Sequence, residues 1–261
     1  MWIAGIALGH NAGVCLLKNG EVVFSIEEER LSRAKHDGGP LLSMMKILDY
    51  TDKIDYLVVS NLTTNPNDNR QHTVLEYTRE PLYQGLARRL GLIEQADSSV
   101  ELDTQSPQVV NMFDNHHRCH SAIAFYNSGF ETAASVIVDS SGSARQFGSD
   151  KESSIYFEIE SIFDCSYENG ITTLYKKMGC DNGRSYYIKE MHDEQLDEKF
   201  ELVADDGAGI GKVWDAVTDY CGFHINECGK TMGLSALGKP NDLLPDLFHG
   251  DTPNTDLIKS Y

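Results

Sequence analysis

The sequence has 261 residues, 41% of them apolar, and a formal net charge of −18. This is enough chain for one large domain or two small ones. So acidic a surface repels phosphate backbones and excludes nucleic-acid binding by broad electrostatics, leaving room for a local basic pocket. No apolar run reaches the length of about 18 residues that would cross a bilayer. The chain opens directly on strand-like Trp2–Leu8, without a basic leader, so no signal peptide is expected. The six cysteines include no Cys-x-x-Cys pair, which argues against a zinc knuckle and for reduced thiols in a cytoplasm.

In chain order, Ile3–Leu8, Val14–Leu17 and Glu21–Ile26 read as three strands. Asn19-Gly20 makes a hairpin turn between the second and third. Leu41–Tyr50 reads as a helix with Leu41, Met45 and Leu48 on its apolar face. Tyr56–Ser60 is a short buried strand, Asn61–Asn69 a loop, Leu82–Leu92 a helix, Val109–Phe113 a strand and His116–Tyr126 a helix. The pattern then restarts with strands over Ala134–Val138, Ser154–Phe163 and Ile171–Lys176 and a helix over Ala208–Cys221. The acidic stretch Gly179–Asp205 reads as a solvated insertion. A β-β-β-α unit followed by a second such start suggests an α/β fold of two similar lobes. That is the actin/hexokinase-like architecture, which takes nucleotide in the cleft between lobes.

His116-His117-Arg118-Cys119-His120 places two imidazoles at i and i+4, on one helix face, where they can converge on an ion. A zincin needs Glu after the first His; His117 stands there, so that reading fails. The structural alternative is a half-buried polar helix face. Asp139 ends an apolar strand, where an α/β fold points side chains into a cleft. Ser140-Ser141-Gly142 after it let backbone N–H groups approach an anion, although a plain strand-end turn would look the same. Two His and one Asp suit iron, manganese or zinc with open positions. His10, flanked by Gly9 and Gly13, is a candidate general base or an ordinary turn histidine. The block Glu27–Asp37 is either a solvated turn or a set of cations, Arg30, Arg33 and Lys35, aimed at a substrate oxygen. Gly229–Gly238 holds Lys230 and Gly233 in a glycine-rich loop but lacks the Walker A spacing.

Taken in order, these motifs resemble the O-carbamoyltransferase family that modifies aminoglycosides, cephems and nodulation factors. The resemblance rests on His10-Asn11, Glu27–His36, His116-His117 with His120, Val138-Asp139-Ser140, Gly211 through Thr218, and Gly229 through Gly238. Asn11 stands where the family uses Asp, and Ser140-Ser141 where it uses a glycine turn. The resemblance implies an N-terminal Kae1-like module of the ASKHA class. Residues 1–130 would form a first RNase H-like lobe and 131–261 a truncated second lobe with an acidic insertion near 179–205. It also implies that carbamoyl-adenylate, made from carbamoyl phosphate and ATP by a YrdC-like domain, gives its carbamoyl group to a substrate hydroxyl. On that reading His116, His120 and Asp139 hold Fe2+ (or Mn2+ or Zn2+). His10 and Lys35 are catalytic, and Ser140, Ser141, Gly142, Gly211, Lys230 and Gly233 contact the nucleotide. The family's fourth metal ligand and its YrdC-like domain have no counterpart here, so the resemblance leaves three alternatives: this is a fragment, a partner chain supplies the rest, or the protein has lost the reaction. The rival readings are a tRNA threonylcarbamoyl transferase relative, which should lack the Glu27–His36 block, and a non-catalytic binding subunit.

Overall fold

The computed structural model describes residues 1–9, 11–61, 82–94, 109–112, 114–147, 154–180, 185–193, 196–206, 209–224, 227–243, 246, 248–249 and 252–253. The chain divides into two compact units, Met1–His116 and His117–Tyr261. Both are mixed α/β and each is built on its own sheet. Among the described residues no helix is long and apolar enough to cross a membrane.

In the first unit, β1 (Trp2–Leu8), β2 (Gly13–Lys18) and β3 (Glu21–Glu27) form an antiparallel meander. Asn19 (φ 53°) and Gly20 (φ 89°) make the tight turn between β2 and β3, as two successive positive-φ residues allow. β4 (Tyr56–Asn61) and β5 (Val109–Asn111) add in parallel on the other side of β1, giving the order β3-β2-β1-β4-β5. Alternate residues Ala4, Ile6, Val14, Leu16, Leu57 and Val59 point into the core and meet Met44, Ile47 and Ala87 from the helices and Leu92 from the bend after the last of them.

Those helices are α1 (Glu28–Ser32), α2 (Leu41–Met45), which continues as a 3-10 turn over Lys46–Asp49, and α3 (Leu82–Arg89). The helix expected over Leu41–Tyr50 forms in this broken way, but the face assigned to its core does not. Leu41, Met45 and Leu48 are exposed, and Met44 and Ile47 are buried instead. Glu28 explains the choice. Its buried carboxylate accepts from the N–H of Leu42 (2.7 Å), the N–H of Ser43 (2.8 Å) and the Ser43 hydroxyl (2.6 Å), which pins the first turn of α2 with Ser43 inward. Glu28→Gln keeps one acceptor oxygen and removes the charge. It is expected to lower stability by about 1–2 kcal/mol in urea unfolding.

The second unit carries α4 (His116–Ser128), whose first residue marks the break, then β6 (Thr132–Val138), β7 (Ala144–Phe147), β8 (Ser154–Ser166) and β9 (Gly170–Cys180). β10 (Tyr186–Asp193), β11 (Glu198–Asp206), α5 (Ile210–Tyr220) and α6 (Cys228–Ser235) follow. The sheet order is β10-β11-β9-β8-β6, with β7 also on β8; every pairing is antiparallel except β11 with β9. The acidic stretch Gly179–Asp205 is therefore not a solvated insertion. Phe200, Leu202 and Ala204 alternate inward from β11 onto Tyr156 and Met178, while charged neighbours face out. α4 packs Phe125 against Phe163, Cys165 and Ile171 on the sheet. Arg118 ties α4 down by donating to the Ile171 carbonyl, to Thr173 Oγ1 (3.3 Å) and to the Glu198 carboxylate. Among the described residues no disulfide joins any of the six cysteines.

Candidate metal centre

Helical periodicity puts His116 and His120 one turn apart at the start of α4, and the end of β6 brings Asp139 beside them. One ligand atom from each of the three lies within 4.8 Å of the others, and His120 Nε2 is 3.6 Å from Asp139 Oδ2. Ligands bonded to one transition ion at about 2.0–2.2 Å sit roughly 3.0–3.5 Å apart, so the three side chains would draw together around an ion. The donors, two imidazoles and a carboxylate, are a fitting set for iron, manganese or zinc with positions left open. Cys119 lies between the two histidines in sequence. Burial, together with the charge of Glu158, pushes its thiol up to about 11, so it offers no thiolate at neutral pH.

The turn after Asp139 is held from three directions. The Asp139 N–H donates to the Ile159 carbonyl (2.9 Å), and Asp139 Oδ1 accepts from the Ser140 N–H (2.7 Å). The Ser140 hydroxyl donates to Asp215, a buried α5 residue that also accepts from Cys228 Sγ (3.2 Å) and pairs with Lys212 (3.3 Å). The Gly142 N–H donates to the Glu158 carbonyl (2.7 Å) and the Ser143 N–H to Glu158 Oε2 (3.1 Å). Two glycines make these approaches possible. A Cβ on Gly142 would stand 2.8 Å from the His117 ring, and one on Gly211 would stand 2.3 Å from the Asp139 carbonyl.

Beneath the turn lies a buried charge cluster that sequence reasoning missed. Glu158 and Lys176 are each 2% exposed and ion-paired. Burial works to raise the Glu158 carboxyl, but the charge of Lys176 first, with hydrogen bonds from Lys176 and the Ser143 N–H, outweighs it and holds it below the ordinary carboxylate value. His117, wholly buried, has Nδ1 2.7 Å from Ser161 Oγ and Nε2 3.8 Å from Asp139 Oδ2.

The structure thus brings His116, His120, Asp139, Ser140, Gly142 and Gly211 to one place, with Ser141 in the same turn. The amides of Ser140 and Gly142 are spent on protein acceptors. Lys35 belongs to the first unit, where it is exposed and paired with Glu29 (3.2 Å). His10 lies outside the described residues. The expected glycine-rich loop Gly229–Gly238 is instead mostly helix α6. On it Lys230 pairs with Glu227 and lies 5.3 Å from the Phe223 ring centre, while Gly233 faces open space. Local chemistry explains this: Thr231 turns inward to hydrogen-bond Thr218 (2.7 Å), seating Cys228–Ser235 as a helix against α5.

Three relatives resemble the chain. An uncharacterized protein of Synechocystis is 25% identical over 94% of this chain and 36% of its own length. An uncharacterized protein of Methanocaldococcus jannaschii is 23% identical over 92% of this chain and 42% of its own. The nodulation protein NolNO of Sinorhizobium fredii is 26% identical over 51% of this chain and 20% of its own. The chain thus spans well under half the length of the relatives it matches. A match to the carbamoyltransferase N-terminus family runs over residues 76–255, taking in α4, β6 and the turn that carries Asp139, and the chain belongs to that family.

Proposed function

We propose that this chain is the front module of an O-carbamoyltransferase and holds a metal through His116, His120 and Asp139. The convergence of these three side chains within 4.8 Å, inside the family-matched residues, is the observation that carries the reading. The fold proposed with it is the actin/hexokinase-like ASKHA class, of the Kae1-like type. It is supported by the β3-β2-β1 meander with parallel β4 and β5 in one unit, and by the antiparallel series β9-β8-β6 in the other.

In this reading the module takes carbamoyl-adenylate, made from carbamoyl phosphate and ATP, and passes its carbamoyl group to the hydroxyl of a small-molecule acceptor; the new C–O bond to the acceptor forms as the carbamoyl–phosphate bond breaks and AMP leaves. A bound Fe2+, Mn2+ or Zn2+ would supply positive charge for a phosphate oxygen. The chain's own groups do the rest. His10 is proposed to take the acceptor hydroxyl's proton, and Lys35 to stabilise developing negative charge once it leaves Glu29. The N-terminus of α5 at Gly211 is proposed to position the nucleotide, with Ser141 from the turn whose Ser140 and Gly142 amides are already bonded within the protein. The YrdC-like activity that makes the adenylate is assigned to a part of the protein, or a partner chain, beyond these residues.

The test is metal content of the purified chain by plasma mass spectrometry after loading with Fe2+, alongside His116→Ala and His120→Ala. About one equivalent is expected in the parent chain. Each variant should lose more affinity than the about 10–100-fold typical of outer-shell changes. Retention of full metal by both variants would sink the site. With the full-length protein, His116→Ala should also abolish transfer of labelled carbamoyl from carbamoyl phosphate and ATP to acceptor.

A further inference from the structure

We infer that His117, the histidine between the two ligands, is a positioning residue. Its Nε2 holds the Asp139 carboxylate in place for the metal, and Ser161 fixes which ring nitrogen carries the proton. The inference rests on the metal reading proposed above.

The sequence makes His117 look like a spare member of a histidine run, but a helix turns about 100° per residue, so His117 cannot share a face with both His116 and His120. The structure sends it inward: the ring is fully buried, whereas His120 is exposed and His116 half-buried. Packing alone would favour an apolar ring at so buried a position. The neighbours are instead polar and arranged at both ring nitrogens. Nδ1 meets Ser161 Oγ at 2.7 Å, and Nε2 faces Asp139 Oδ2 at 3.8 Å. The same Asp139 oxygen is 3.6 Å from His120 Nε2, so His117 acts on the oxygen turned toward the candidate ligands.

One proton arrangement suits both ends of the ring. If Ser161 O–H donates to Nδ1, the ring proton sits on Nε2 and points at the Asp139 carboxylate, an attractive contact. The opposite tautomer would set the Nε2 lone pair against that carboxylate. The rest of the pocket fixes the ring. The His117 N–H reaches Glu158 Oε2 at 3.4 Å, and the absence of a Cβ on Gly142 leaves the ring its place against the turn. Outer-shell groups of this kind fix the orientation of a ligand carboxylate and sustain metal affinity.

Cobalt(II) titration of the purified chain, read by visible d–d absorption, tests this with a pair of isosteres. His117→Asn keeps an amide at the Nδ1 position for Ser161 and removes the contact to Asp139. His117→Gln returns an N–H near the Nε2 position. Asn is expected to weaken Co2+ binding by about tenfold or more and to change the d–d band shape, and Gln to recover much of both. Circular dichroism establishes that each variant is folded. Should Asn fail to fold, Ser161→Ala takes its place, with a loss in the same direction expected. Parent-like affinity and spectrum in the Asn variant, or in Ser161→Ala where that stands in, overturn the inference and leave the metal reading standing. Equal losses in Asn and Gln also overturn it, because generic support of the helix would then suffice. A parent chain that binds no Co2+ overturns the metal reading and this inference with it.

Discussion

Replacing Lys176 by methionine is expected to destabilise the protein by about 3–5 kcal/mol at neutral pH, measured by urea unfolding of the full chain. Lys176 and Glu158 are each 2% exposed, and the ammonium group also lies 5.5 Å from the Phe200 ring centre. Methionine fills the stem's volume but leaves a buried carboxylate without its cation. Desolving two charges is so unfavourable that the pair itself adds little stability; what costs heavily is breaking it from one side. Lys176→Met with Glu158→Leu should therefore recover much of the loss. It should not recover all of it, because the Ser143 N–H donates to Glu158 Oε2 and would lose its acceptor.

The pH dependence separates this account from simple overpacking. In the parent chain Glu158 is held below its ordinary value, so the stability it contributes is complete above the unfolded-state carboxylate range of about 4.3. That contribution is lost as pH falls through the depressed folded value. With Lys176 gone, burial meets weaker opposition, the sign reverses, and the carboxyl gains a proton more readily folded than unfolded. The variant should then close part of its gap to the parent as pH falls from 7.5 to 5. A gap that stays constant over this range would mean Glu158 is not the cause of the loss.

The same pair shows why part of this site was hidden in the sequence. Strand alternation reveals inward residues only while the ladder is regular. β8 and β9 shift register between Glu158 and Glu160 and again between Ile162 and Phe163. The inward residues change parity there, from Tyr156 and Glu158 to Ile159, Ser161 and Phe163. Two charged residues in the middle of such strands give no sign that they face each other. His116, His120 and Asp139 were legible because an i, i+4 helix spacing and a strand end are local features. β1 to β3 were legible for the same reason, through Asn19-Gly20. β10 and β11 were obscured by their acidic outward residues, although Phe200, Leu202 and Ala204 carry the strand period. In the Leu41–Tyr50 helix the apolar residues cover both faces, and the partner that decides between them, Glu28, is distant in sequence.

Gly211→Ala is expected to lower stability by about 1–3 kcal/mol and to weaken metal binding together with it. A Cβ there would stand 2.3 Å from the Asp139 carbonyl carbon and oxygen and 2.4 Å from the Ser140 nitrogen, inside any distance real Cβ atoms adopt. The obstacle is space alone, because Gly211 is not among the positive-φ glycines. The atoms in the way are backbone, so no rotamer change relieves them. Either α5 retreats or the end of β6 moves. Retreat is opposed by the Ser140–Asp215 hydrogen bond and by the lack of room at Gly209, where a Cβ would meet Ile159 at 2.7 Å. The strand end therefore takes part of the displacement and carries the Asp139 carboxylate away from His116 and His120. Gly233→Ala is the matched control: it lies inside α6 with nothing within 4 Å of the added carbon, and should gain up to about 1 kcal/mol from helix propensity. Co2+ affinity separates the two positions. It should fall in Gly211→Ala and stay at the parent value in Gly233→Ala. Parent-like affinity in Gly211→Ala would show that the α5 contact does not set the position of Asp139.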